Sequence, residues 1–151
     1  MQNRRETLKQ SMAVAGLLGA TGLFSQSAWA FNKSAFEAKN VADAVKAYGA
    51  GAPVESKDVT LTAPDIAENG AVVPMAAASS LAGVKHLLVL VEKNPNALVA
   101  KFDVTDAVEP SFATRAKMGQ TSDVYAVAIT NDGRALYARK EVKVTLGGCG
   151  G

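Results

Sequence analysis

After Pro53 the apolar residues recur with period two, and Gly, Asn, Pro and Asp cut the pattern at short intervals. A chain patterned this way buries one face of each strand, so it folds as a β-structure of short segments and not as a helical bundle. The spacing predicts seven strands, over 58–63, 71–78, 84–92, 97–104, 111–118, 122–130 and 134–146. Leu98, Ala100, Phe102 and Val104 alternate with Lys101 and Asp103, and Phe112, Ala116 and Met118 alternate with Arg115 and Lys117. In the last strand Leu136, Ala138, Val142, Val144 and Leu146 oppose Arg139, Glu141 and Lys143. The run Leu87-Leu88-Val89-Leu90-Val91 is apolar on both sides and predicts a central strand covered twice.

Turn chemistry agrees with these divisions. Asn131-Asp132-Gly133 is a hairpin signal, and Asn94-Pro95-Asn96 and Met118-Gly119-Gln120 break the chain between other strands. Asn69-Gly70 reads as a further turn. Pro74 lacks an N–H for a ladder, so its strand is expected at an edge. The expected fold class is all-β: an immunoglobulin-like antiparallel β-sandwich over residues 53–146. An N-terminal helix is expected within 31–52. Ser34-Ala35-Phe36-Glu37 fits a capping box, Phe36, Val41, Ala44, Val45 and Tyr48 share one face, and Gly49 to Pro53 ends it.

Residues 1–30 carry an address. Arg4, Arg5 and Lys9 precede an uncharged stretch from Ser11 to Phe24, and Ala28-Trp29-Ala30 is a small-x-small cleavage site. The apolar run is too short and too rich in glycine for a good membrane span. Asn3-Arg4-Arg5-Glu6-Thr7-Leu8-Lys9 resembles a twin-arginine export motif, with Asn3 and Thr7 as departures. Periplasmic localisation is therefore expected. Cleavage would remove three of 16 basic residues and one of 14 acidic ones, leaving a mature chain of zero formal charge. The precursor's pI of about 8.7 thus gives no support to a nucleic-acid or anionic-membrane partner.

The chain holds one Cys and one His, which excludes an internal disulfide, a multi-histidine or multi-thiolate metal site, and the usual nucleophilic triads. His86 stands alone in an apolar strand and reads as structural or solvent-facing. Asp103, Asp106 and Glu109 read as a solvated acidic loop. No catalytic residue, resident cofactor or metal ligand emerges.

Cys149 is different. It sits in Gly147-Gly148-Cys149-Gly150-Gly151, where paired glycines on each side maximise backbone freedom and no apolar neighbour offers burial. Residues 147–151 form an arm reaching about 17 Å when extended, at ~3.4 Å per residue. An exposed thiol has a pKa of about 8.5, and no cation adjoins Cys149 in sequence to lower it. A thiol of this kind suits modification by outside enzymes. The competing reading is a structural interaction module whose cysteine only forms intermolecular disulfides. An enzyme built on His86 is a weaker third.

The ending Val142-Lys143-Val144-Thr145-Leu146-Gly147-Gly148-Cys149-Gly150-Gly151 resembles that of the SoxY family, the sulfur-carrying subunits of the periplasmic SoxYZ complex of bacterial sulfur oxidation. Ala67 to Pro74, the Asn94-Pro95 turn and the twin-arginine leader match as well, so the resemblance spans essentially the whole chain. It implies covalent carriage of pathway intermediates on Cys149, with Gly147, Gly148, Gly150 and Gly151 as a swinging tether. It also implies a heterodimer with SoxZ and transient visits to SoxAX, SoxB and, where present, a sulfane dehydrogenase. A family of this kind supplies a substrate-bearing protein and performs no catalysis itself.

Overall fold

The computed structural model describes residues 32–145. The leader through Ala30 and the arm 147–151 lie outside them, as does Leu146 at the end of the last expected strand. The described residues form helices α1 (Lys33–Glu37) and α2 (Val41–Ala47). Nine strands follow: β1 (Val54–Glu55), β2 (Val59–Thr62), β3 (Ile66–Ala67), β4 (Val73–Ser79), β5 (Val84–Val91), β6 (Leu98–Asp103), β7 (Ser111–Ala116), β8 (Ser122–Thr130) and β9 (Ala135–Val144). No helix among them is long and apolar enough to cross a membrane.

Two sheets make the sandwich. One has the order β1-β9-β8-β5-β6 with β3 also paired to β9, and the other has the order β2-β4-β7. Each of the seven long strands falls where the alternation places it, and every pairing among them is antiparallel. The facing sides enclose a core that includes Val59, Met75, Ala77, Leu87, Val89, Val91, Val124, Ala126 and Val142. The opposite face of β5 and β8 presents Leu88, Leu90, Val127 and Ile129 to Ala35, Val41, Ala44 and Val45 of the helices. Strand β5 is therefore sealed on both sides: Leu87, Leu88 and Leu90 are each fully buried. Each such side chain contributes about 1.5–3 kcal/mol.

Three details depart from the sequence pattern. The expected single helix is two, interrupted at Ala38, Lys39 and Asn40. The break follows from a tertiary demand: the Ala97 N–H donates to the Ala38 carbonyl over 2.9 Å, drawing that carbonyl out of the helical ladder. Ser34 lies inside α1, and the cap with defined geometry is Asn40, whose side chain accepts from the Asp43 N–H over 2.8 Å. Second, β1 and β3 are two-residue strands that join β9 in parallel. They are too short to show any periodicity.

Third, β4 lies at the centre of its sheet and not at an edge. Pro74 is tolerated because the β2 ladder starts at Ala76, paired with Thr62, so Pro74 lies beyond the end of β2 and pairs only with Arg115 of β7. Locally that side of β4 is free, which is the condition a proline requires. The hairpin at Asn131-Asp132-Gly133 forms as expected. Gly133 has φ of +83°, a conformation that costs glycine nothing and other residues 1–2 kcal/mol or so.

Candidate functional site

Cys149 and its four glycines lie outside the described residues, so the site is approached from its root. The last turns of β9 are held from two sides. The Lys143 N–H donates to the Asp65 carbonyl over 3.0 Å, and the Thr145 N–H donates to the Ala67 carbonyl over 3.1 Å. From the other side, the Val144 N–H donates to Thr121 Oγ1 over 3.0 Å. Beneath them passes Gly70, whose carbonyl accepts from the Met118 N–H over 2.7 Å. A Cβ on Gly70 would stand 2.3 Å from the Met118 carbonyl oxygen and 2.8 Å from Val144 Cγ1. The segment Ala67 to Gly70 thus packs against the strand that leads to Cys149.

The same segment runs back to a cavity of about 750 Å³. It opens where β4 outruns β2, beside the turn that leaves β2 at Ala63 and Pro64. Its lining is mostly apolar, and Thr62, Pro74, Ala76, Ala113 and Arg115, which share one face of the small sheet, contribute to it with Ala63 and Pro64. Arg134 and Arg139 are each paired with a carboxylate. Arg115 is the one arginine among the described residues with no carboxylate within 4.0 Å. Lys140 faces the core side of β9 between Ala138 and Val142, and escapes it by donating from Nζ to the Ala63 carbonyl and to Asp65 Oδ1 at 2.9 Å. That contact ties the cavity wall to the strand that carries the arm.

His86 sits on the helix-facing side of the large sheet, with its side chain 13% exposed. Its Nδ1 lies 2.7 Å from Asp103 Oδ1, off the direction a ring N–H needs, so the contact is close without being a directed hydrogen bond. Lys101 Nζ approaches the same oxygen at 2.8 Å, and the Tyr48 ring stands 5.3 Å from the imidazole. Burial and the Lys101 charge hold the His86 pKa below its ordinary value, against the pull of Asp103. Burial would raise the Asp103 pKa, but the Lys101 hydrogen bond and charge, with His86, bring it below the usual carboxylate range. Asp103 therefore belongs to β6 and to this cluster, not to the acidic loop with Asp106 and Glu109. The arrangement fixes α2 on the sheet, as a structural histidine would, and it has no nucleophile beside it.

Arg115, Lys140 and the cavity went unseen in the sequence. Arg115 carried one signal, its place opposite the ladder-breaking Pro74, but that relation exists only once β4 and β7 are paired.

An immunoglobulin-like sandwich whose last strand ends in a cysteine-bearing tail is the class that fold and sequence define together. The chain matches the family model of sulfur oxidation protein SoxY over residues 44–149, and it belongs to that family. Among solved structures it is similar to the sulfur carrier protein SoxY from Chlorobium limicola f thiosulfatophilum, with 35% identity, a TM-score of 0.57, and coverage of 62% of this chain and 84% of that one. It is also similar to superoxide reductase (neelaredoxin) from Ignicoccus hospitalis, at 17% identity and a TM-score of 0.51, covering 58% of this chain and 80% of that one. That second likeness is one of fold alone. No curated protein matches the sequence.

Proposed function

We propose that this protein is a covalent sulfur carrier, with thiosulfate-derived intermediates attached at Cys149 and the flanking glycines Gly147, Gly148, Gly150 and Gly151 serving as the tether. The observation that carries the reading is the SoxY family match, which runs to Cys149 itself. The similar Chlorobium protein is named a sulfur carrier. An exposed thiol with no cation beside it in sequence is mostly protonated at neutral pH and relies on an enzyme to activate it.

In the cycle we infer, the Cys149 thiolate and thiosulfate join through a new S–S bond, and two electrons pass to the haem protein SoxAX. Water then cleaves the terminal S–SO₃ bond on SoxB, releasing sulfate and two protons and leaving a persulfide on Cys149. A sulfane dehydrogenase, where present, oxidises that persulfide for a second hydrolysis. The protein supplies no acid, base or cofactor to these steps. SoxZ is its stable partner, and the leader sends the folded chain to the periplasm by the twin-arginine route.

The experiment is Cys149→Ser in a reconstituted thiosulfate-oxidising system. Turnover is expected to vanish while the melting temperature stays within about 1 °C, since Ser and Cys differ by one atom of similar size. Undiminished turnover would sink the reading. Mass analysis of the C-terminal peptide is expected to show thiosulfate or sulfane adducts that reductant removes.

A further inference from the structure

We propose that Ile66 and Val72, at the root of the arm, form the apolar contact on which the enzyme that loads Cys149 seats itself. This rests on the carrier reading and adds to it the surface that positions the loading enzyme.

Among the described residues, large apolar side chains stand well exposed at Val54, Ile66, Val72 and Val108, at 60%, 55%, 52% and 41%. Ile66 and Val72 belong to the segment that folds against the end of β9. Ile66 is in register with Lys143, and the residue after it, Ala67, accepts from the Thr145 N–H over 3.1 Å. Val72 is two residues beyond Gly70, which packs against Val144. Its own N–H donates to the Asn69 carbonyl over 3.3 Å, and the Ala71 N–H donates to Asn69 Oδ1 over 3.0 Å. A hydrogen-bonded turn thus holds Val72 out to solvent. Glu68, Asn69 and Lys143 are exposed on the same stretch and border the pair with polar groups. An apolar centre with a polar border is the make-up of a protein–protein contact. Val54 and Val108 lie away from the root: Val54 is paired with Leu136 at the start of β9, and Val108 is in the loop between β6 and β7.

The length of the tail decides what covers the pair. Cys149 is four residues beyond Thr145, so its thiol reaches about 13 Å plus its own side chain when the glycines are extended. A reacting group set back roughly 10 Å inside an enzyme uses most of that reach, which brings the enzyme's mouth against the root of the arm. The loading enzyme is the most constrained visitor. It must reach Cys149 Sγ itself, whereas the bond cut in the following hydrolysis lies one S–S bond, about 2 Å, further out. The partner surface that fits is an apolar rim around a passage just wide enough for a glycine backbone. Ile66 and Val72 leave water when that rim closes on them, which favours docking without either side chain touching the reacting sulfur. Theirs is a positioning role.

The test combines the mature chain and SoxZ with thiosulfate, SoxAX and an electron acceptor for its haems, and follows loading by intact mass. Ile66→Glu and Val72→Glu are each expected to raise the KM for the carrier about tenfold, the scale of a central interface residue, with kcat within about twofold. Ile66→Leu keeps the apolar surface and should hold the wild-type KM. Val54→Glu and Val108→Glu make the same change away from the root and should leave KM within about twofold, as surface substitutions do. Alkylation of Cys149 by iodoacetamide, which needs no docking, should be equal in every variant. Equal KM values in the root and control variants, or a fall in kcat alone, would overturn the proposal. So would release of SoxZ from Ile66→Glu or Val72→Glu on size exclusion, which would make the pair part of the heterodimer surface. The carrier reading fails by a different result, a mass gain that persists in Cys149→Ser.

Discussion

The Met118 N–H donates to the Gly70 carbonyl over 2.7 Å, and at that approach no Cβ fits on residue 70. The loop before β4 thereby lies flat against the ends of β7 and β9, and Val144 closes over it. The obstacle on one side is backbone, which cannot rotate away.

Gly70→Ala is accordingly expected to cost about 1–3 kcal/mol, the range for overpacking a well-filled site. Urea unfolding measures it. A midpoint equal to wild type would mean that the loop lifts freely from the root of the arm.

Asn40 caps α2, with its side chain accepting from the Asp43 N–H and its amide donating to Asp43 Oδ2 over 2.7 Å. Removal of the cap in Asn40→Ala should cost ~1 kcal/mol. The loss should appear in hydrogen exchange as weaker protection of α2 amides, with β5 and β8 little changed. Uniform loss across the sheets would instead show that helices and sandwich unfold as one unit.

Stability should fall as pH drops from about 7 towards 5. The folded His86 resists protonation, because burial and Lys101 disfavour its cation, while the unfolded imidazole takes its proton near pH 6.5. Its contribution is thus complete above the unfolded pKa and is lost as pH descends to the folded one. Asp103, also depressed, adds a loss only below about pH 4, where an unfolded aspartate begins to protonate. Unfolding midpoints of His86→Gln at pH 7.5 and 5.5 should lie closer together than those of wild type. An unchanged gap would place the pH sensitivity elsewhere.

Much of the sandwich was legible in the residues. Leu87 to Val91 announced a strand covered on both faces, and Asn131-Asp132-Gly133 announced the β8–β9 hairpin. Where the reading failed, a distant partner intervened. Pro74 implied an edge, and the free side it needs exists, but only because β2 stops at Thr62. Asp103 looked like part of a solvated loop until β5 brought His86 opposite it.

Local order alone determined the strand positions and the turns, since periodicity and backbone freedom act between near neighbours. Tertiary structure decided the rest: the attachment of β1 and β3 to β9, the broken helix, the cavity beside Pro74 and the unpaired Arg115 at its wall. The added strands and the broken helix depend on backbone amides meeting across the fold, as the Lys143 N–H meets the Asp65 carbonyl, and an amide looks the same at every position of the chain.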